Sequence, residues 1–183
     1  DGKIASRVVF MPGIYNLKEF VERGLVYGGG TSKLWLGHAK IIMSATTGEI
    51  LPDPSAGLTP LLSGAQQWGF PVAIHAVEAD TIHAAAEILR FHPSTARGKV
   101  PHRIEHAAEL PPAAFRGICE AGVMVVTNPG FIYHSGDRYR RGIATDHHPW
   151  LYRIGSLQNA GVSLAFGSDS PVEMPNPLAE LYS

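Results

Sequence analysis

Three residues with metal-binding side chains stand at the ends of short apolar runs: His75, His106 and Asp169. About one strand–helix unit separates the first two, and about two units separate the last two. Two imidazoles and one carboxylate suit zinc and similar divalent metals, and they leave coordination positions for water and substrate. Such an ion lowers the pKa of bound water toward ~7 and polarises a carbonyl oxygen. Asp169 would then contact the metal and take the proton from the attacking water.

Each of these residues also has a structural explanation. A single histidine at a strand end is more often a hydrogen-bonded structural group than a ligand, and Asp169 could cap the turn through Ser170 and Pro171. Lys40, inside an otherwise apolar run, could extend its ammonium group to solvent or pair with a carboxylate. Because a metal-capable residue recurs at three strand ends, the pattern favours a metal site.

Alternating strands and helices are expected to position these residues. Residues 72–74 form an apolar run that ends at His75, and apolar residues recur at helical spacing from Ala79 onward. The same change of period predicts strands over 4–11, 34–44, 72–75, 100–106, 123–127 and 162–166 and helices over 17–24, 55–68, 79–91, 111–122 and 151–160, with a last helix after Pro177. Residues 128–150 form the longest segment predicted to be irregular. With a helix between successive strands, this order predicts a parallel α/β sheet, either a barrel or a doubly wound sheet.

Composition narrows the classes of partner. The 183 residues are 45% hydrophobic, enough for a sizeable core. The net charge of −1, without a run of Lys or Arg, provides no surface for nucleic acid or an anionic membrane. No apolar run approaches the ~20 residues of a membrane span, and Asp1 begins no signal-peptide pattern, so we expect a cytoplasmic location. Cys119 is the single cysteine, which excludes an intrachain disulfide and suggests a buried thiol.

Three segments resemble a known family. VAIHAVEADTI, HRIEHAAEL and VSLAFGSDSPVEMPNPL are similar to the fifth, sixth and eighth strand motifs of the amidohydrolase superfamily of metal-dependent hydrolases. The branch that they resemble contains N-substituted formamide deformylases. The likeness covers nearly the whole chain, and HRIEH followed by GSDSPV is a specific combination.

The resemblance implies a TIM (β/α)8 barrel and a role for each matching residue. His75 and His106 match the family's metal-binding histidines, and Asp169 matches its catalytic aspartate. Lys40 lies where family members often carry a carbamylated lysine on the fourth strand. Carbamylation would turn this cation into a carboxylate able to bridge two metals. The implied cofactor is therefore one or two divalent ions, with zinc as the expected metal.

The sequence departs from the family's pattern at its first strand. Family members carry a His-x-His pair there, whereas His147 and His148 are adjacent and lie in the segment predicted to be irregular. We expect residues 1–183 to form a single partial barrel domain, from the family's third strand to its eighth. The first two strands and the accessory β-domain would be absent. Because such a barrel exposes open sheet edges, we expect either a fragment or completion by another chain.

The segment after the family's seventh strand should overhang the mouth of the barrel and help to shape the substrate pocket. Its candidate substrate-binding residues are Tyr133, His134, Asp137, Arg138 and Tyr139. For any one of them, an ordinary surface position is an equally good interpretation.

The favoured function is a hydrolase that uses metal-activated water to cleave a C–N bond in a small amide, formamide or cyclic amide. A homo-oligomer is compatible with this reading. One alternative is a non-catalytic barrel fragment or small-molecule binding module without metal. Another is a doubly wound protein with a site at its switch point, although Gly28 to Gly30 lack the strand and helix that a phosphate-binding loop requires. Metal content separates the first alternative from the hydrolase, and strand order tests the second.

Overall fold

A computed structural model describes residues 5–43 and 54–182, so the predicted strand positions Ile4 and Ser44 lie outside the described residues. The strands are β1 (Val8–Phe10), β2 (Leu34–Leu36), β3 (Ala39–Ile42), β4 (Val72–Ala76), β5 (Arg103–His106), β6 (Met124–Thr127) and β7 (Ser163–Phe166). The helices are α1 (Leu17–Glu22), α2 (Pro54–Gln67), α3 (Ala79–Phe91), α4 (Pro112–Ala121), α5 (Pro129–Gly142), α6 (Ile154–Asn159) and α7 (Pro177–Tyr182), with short 3-10 helices at Ile14–Asn16 and Thr145–Trp150. Within the described ranges, none of these helices has the length and apolar character that a membrane span requires.

The order of the strands distinguishes a barrel from a doubly wound sheet. Five parallel strands follow one another in sequence order, β3-β4-β5-β6-β7. β1 pairs in parallel with β2, and a bridge from Gly13 to Lys40 continues this pairing onto β3. A doubly wound sheet reverses its order at a switch point, whereas a barrel adds each strand beside the last. The order therefore confirms part of a barrel and contradicts the doubly wound alternative.

The run predicted as one strand over 34–44 is interrupted. Val8 pairs with Leu34, and Gly13 pairs with Lys40, so one extra residue lies on the β2–β3 side of the ladder. An extra residue breaks regular pairing and divides the run into two strands. The prediction that a helix separates all successive strands is therefore wrong between β2 and β3.

The two faces of the five-stranded sheet differ in chemistry. One face packs against the helices, and its central side chains are at most 3% exposed: Ile41, Ile74, Ile104 and Val125. The register places half-buried polar side chains on the opposite face: Lys40, His75, Arg103 and Glu105. In a barrel this second face is the interior, and its carboxyl end is where active sites lie.

Helix α4 packs closely on α3. A Cβ placed on Gly117 would lie 3.0 Å from the Cβ of Ala86, so glycine allows an approach that a larger residue would obstruct. The buried face of α4 consists of Ala114, Gly117 and Ile118. Cys119 lies off this face and is exposed, so the prediction of a buried thiol is wrong.

Residues 128–150 are mainly helical, contrary to the predicted irregular segment. Pro129 occupies the first turn of α5, where its missing amide hydrogen is not needed. Arg140 and Arg141 lie in the last turn, where positive charge complements the helix dipole. Three glycines and many polar residues obscure the helical period in the sequence. The candidate substrate-binding residues therefore lie on a helix, not on a loop.

Candidate metal centre

The carboxyl ends of β4 and β5 bring two predicted ligands together. His75 is the next-to-last residue of β4, and His106 is the last residue of β5. Their imidazole centroids lie 4.6 Å apart, with an angle of 73° between the ring planes. This separation is short enough for the two rings to share one ion at ordinary metal–nitrogen distances of about 2.0–2.1 Å.

The backbone at the end of β5 explains how the two rings meet. His106 pairs in register with Ala76, which packs into the core on the helix side. Regular alternation would therefore direct His106 toward the helices. Instead, His106 and Ala107 have φ angles of 74° and 50°, in the left-handed region that residues other than glycine seldom adopt. This conformation costs on the order of 1–3 kcal/mol per residue, and it lets His106 face His75.

Asn128, directly after β6, connects His106 to the end of β7. Its Oδ1 lies 2.6 Å from His106 Nδ1, and its Nδ2 lies 2.5 Å from the carbonyl oxygen of Gly167. Because a carbonyl oxygen only accepts, Nδ2 donates to Gly167 and Oδ1 accepts the hydrogen of Nδ1. In the neutral imidazole, the lone pair then lies on Nε2.

The electrostatic environment keeps His75 neutral. Burial is the main cause, followed by His106 and Lys40, and together they lower the pKa of His75 to about 4. Glu78 and Asp169 act in the opposite direction on the same pKa. The ring is therefore uncharged at neutral pH, the state in which a histidine binds a metal.

Lys40 lies on the same face of the sheet, one strand away. It pairs in register with Ala73, two residues before His75. Burial lowers the pKa of Lys40, whereas the carboxylate of Glu105 raises it. Glu105 in turn accepts two hydrogen bonds from the Arg103 guanidinium, at 2.8 and 3.1 Å. Lys40 therefore combines partial burial with a fixed carboxylate in its electrostatic neighbourhood.

Residues 17–183, which contain β2 to β7 and this histidine pair, match the model of the amidohydrolase family. The chain belongs to the amidohydrolase family. The match confirms the resemblance carried by the motifs around His75, His106 and Asp169. No curated protein sequence matches the chain.

Two solved structures share the fold. An uncharacterized metal-dependent hydrolase from Pyrococcus furiosus has a TM-score of 0.80 and 20% sequence identity, over 98% of this chain and 40% of that one. An uncharacterized metal-dependent hydrolase from Pyrococcus horikoshii OT3 has a TM-score of 0.77 and 22% identity, over 96% of this chain and 38% of that one. These similarities confirm the predicted partial barrel. The chain spans about 40% of the length of the first hydrolase.

Asp169 lies at the same end of the sheet but does not join the histidines in a compact cluster. It is exposed, has a φ of 54°, and its carbonyl oxygen accepts the Val172 amide hydrogen at 2.9 Å. Its carboxylate raises the pKa of both His75 and Lys40. Across residues 5–43 and 54–182, no three His, Cys, Asp or Glu side chains are arranged to hold one ion. Asp169 and Lys40 are thus electrostatic neighbours of the pair.

The five candidate substrate-binding residues lie on α5: Tyr133, His134, Asp137, Arg138 and Tyr139. Tyr133 is 63% exposed, and its ring centroid lies 4.9 Å from that of His134. The Arg138 guanidinium lies 5.5 Å from the centroid of the Tyr139 ring. Their role in substrate binding stays a prediction.

Sequence reasoning did not identify three residues that connect α5 to the histidines. Besides Asn128, these are Phe131, whose ring lies nearly parallel to His106 at 6.3 Å between centroids, and Tyr152, 6.4 Å from Phe131. Burial and a 3.0 Å hydrogen bond between the hydroxyls of Tyr152 and Tyr139 raise the pKa of Tyr152, so its phenol stays neutral. Asn followed by Pro after a strand predicts a turn, and this pattern hid the role of the first turn of α5.

Proposed function

We propose that this chain carries part of the active site of a hydrolase that cleaves the C–N bond of a small amide, formamide or cyclic amide. The observation that carries the proposal is the pair formed by His75 and His106, 4.6 Å apart at the carboxyl end of adjacent strands. Family membership supports hydrolysis. The C–N bond, a small-molecule substrate, zinc as the metal and a cytoplasmic location are parts of the proposal.

The two imidazoles are donors that suit a divalent cation. His75 and His106 would hold this cation together with Asp169 and Lys40. When bound, such a cation polarises a carbonyl oxygen and lowers the pKa of water. His75 is neutral at neutral pH because of its burial. His106 presents Nε2 because its Nδ1 hydrogen bonds to Asn128.

Lys40 would contribute as a carbamate. Its neutral amine would form a bond to the carbon of CO2 and release one proton, which leaves a carboxylate on the side chain. Burial lowers the pKa of Lys40 and so increases the fraction of neutral amine available for this step. The product would carry the negative charge that a second cation needs.

Asp169 would move the proton. Asp169 is exposed beyond the end of β7, at the end of the sheet where barrel active sites lie. An oxygen of Asp169 would accept the proton of the attacking water and return it to the leaving nitrogen. The residues on α5, among them Arg138 and Tyr139, would contact the rest of the substrate.

Metal analysis of the purified chain tests the proposal. We expect near-stoichiometric zinc, manganese or iron, and a loss of most of it in His75→Ala and Asp169→Ala. His83→Ala is the matched control, because His83 is exposed on α3, and it should retain the metal. Absence of bound metal after reconstitution, or equal loss in His83→Ala, would favour the non-catalytic binding module. With metal present, a screen of formamides, acyclic amides and cyclic amides follows.

A further inference from the structure

We propose that Asn128 is a positioning residue that selects the metal-binding tautomer of His106. The inference rests on the proposed function in one respect, that His106 is a metal ligand. It adds a residue outside the four candidate ligands, and it assigns a distinct task to each end of one side-chain amide.

The two bonds of Asn128 determine which way its amide points. The Gly167 carbonyl can only accept, so Nδ2 faces it at 2.5 Å, and this orientation leaves Oδ1 against His106 Nδ1 at 2.6 Å. The reverse orientation would place two carbonyl oxygens together. Gly167 therefore determines the amide orientation, and the amide determines which ring nitrogen of His106 carries hydrogen.

Burial makes this selection effective. Asn128 is 4% exposed and His106 is 7% exposed, so water does not compete freely for Nδ1. Free histidine favours the opposite tautomer, with hydrogen on Nε2, which would block that nitrogen as a ligand. Partners that orient a ligating histidine in this way typically change metal affinity about 10- to 100-fold when they are removed.

The same amide connects three strand ends. His106 ends β5, Asn128 follows β6, and Gly167 follows β7, two residues before Asp169. Asn128 thus also holds the backbone two residues before Asp169, so its two bonds link the candidate ligand to the candidate proton carrier.

Two variants separate the two bonds. Asn128→Leu has a similar volume and removes both of them. Asn128→Asp retains an acceptor for His106 Nδ1 but cannot donate to Gly167. Long-range 1H–15N spectra of the metal-free chain report the tautomer, with the His106 signals assigned by their loss in His106→Gln. Competition with a chelating dye gives the affinity for Zn2+, and circular dichroism checks folding.

We expect hydrogen on Nδ1 of His106 in the unsubstituted chain and in Asn128→Asp, and a shift to Nε2 in Asn128→Leu. Zn2+ affinity should fall about 10- to 100-fold in Asn128→Leu and less in Asn128→Asp. Hydrogen on Nε2 in the unsubstituted chain would overturn the proposal, as would either an unchanged tautomer or an unchanged Zn2+ affinity in folded Asn128→Leu. If Asn128→Leu does not fold, Asn128→Asp decides, since hydrogen on Nε2 in that variant contradicts the proposal.

The outcome is separable from that of the proposed function. The tautomers are read without metal or substrate, so a chain that shows them but hydrolyses no amide contradicts only the proposed reaction. A chain that binds metal through His75 but keeps the His106 tautomer in Asn128→Leu contradicts only the role of Asn128.

Discussion

Two pairs of histidines lie at opposite ends of the same sheet. His38 and His102 are buried just before β3 and β5, and His75 and His106 lie at the carboxyl ends of β4 and β5. Burial lowers the pKa of His38, and burial followed by the charge of His38 lowers the pKa of His102 to about 4. His75 has the same value for the same main reason.

The pairs differ in what their nitrogens contact. At the amino end, His38 Nε2 lies 3.1 Å from the Pro101 carbonyl oxygen, and His102 Nδ1 accepts the amide hydrogen of Val72 at 2.9 Å. These rings complete backbone hydrogen bonding between strands. At the carboxyl end, His106 bonds to a side chain and keeps Nε2 for a ligand. A lowered histidine pKa therefore marks burial at both ends, and the hydrogen-bonding partners distinguish the pair that we propose to bind metal.

The largest expected effect is a difference in the free energy of unfolding between variants at the two ends of the sheet. His102→Ala removes the acceptor for the Val72 amide and leaves a cavity, which should lower the free energy of unfolding by about 3 kcal/mol. His75→Ala removes a half-buried ring and should cost about 1 kcal/mol or less without metal. Urea unfolding with a chelator present measures both. A greater loss in His75→Ala would break the distinction between a structural and a functional pair.

The pH dependence of stability sharpens the same contrast. His102 has a folded pKa of about 4 against an ordinary value of 6.5, so the unfolded chain binds more protons between these values. The contribution of His102 to the free energy of unfolding is therefore complete above about pH 6.5 and is lost as the pH falls toward 4.

His102→Asn retains an acceptor for the Val72 amide but does not titrate in this range. Between pH 7 and 4.5, the unsubstituted chain should lose about 2–3 kcal/mol more unfolding free energy than His102→Asn. His75 titrates in the same direction in both proteins, so its contribution cancels. Parallel profiles from urea unfolding at a series of pH values would show that His102 is not held neutral by the fold.

The smallest expected effect tests whether the mouth also contains structural side chains. Tyr139→Phe removes the partner of the buried Tyr152 hydroxyl and should cost about 1 kcal/mol. Tyr133→Phe alters an exposed residue and should stay within about 0.5 kcal/mol. Thermal unfolding of the two matched variants distinguishes them. Equal values would mean that the hydroxyl bond between Tyr139 and Tyr152 contributes no stability.

Local periodicity was sufficient to predict the strand that ends at His75 and the helix that follows. The apolar run over residues 72–74 depends only on residues that are close in sequence, and so does the helical spacing from Ala79. Both patterns can therefore be identified in the sequence alone. The strand ending at His106 was predicted for the same reason. The parallel order then placed both histidines at one edge of the sheet.

The orientation of the His106 ring could not be predicted in this way. It requires a left-handed backbone at His106 and Ala107, which the surrounding fold imposes against local preference. Asn128 acts through residues 22 and 39 positions away in sequence, so no local pattern shows its role. Helix α5 was missed because its glycines and charges weaken the period on which the prediction relied.

The extra residue between β2 and β3 has a consequence for the mouth. Leu36 and Ile41 both pack on the core, although residues on one side of an uninterrupted strand are an even number apart. The extra residue therefore reverses which side chains of β3 face the helices and which face the opposite side of the sheet. Without it, Lys40 would face the helices and Ile41 would face the interior of the barrel. One added residue before β3 therefore places Lys40 on the same face as His75, where we propose that it acts.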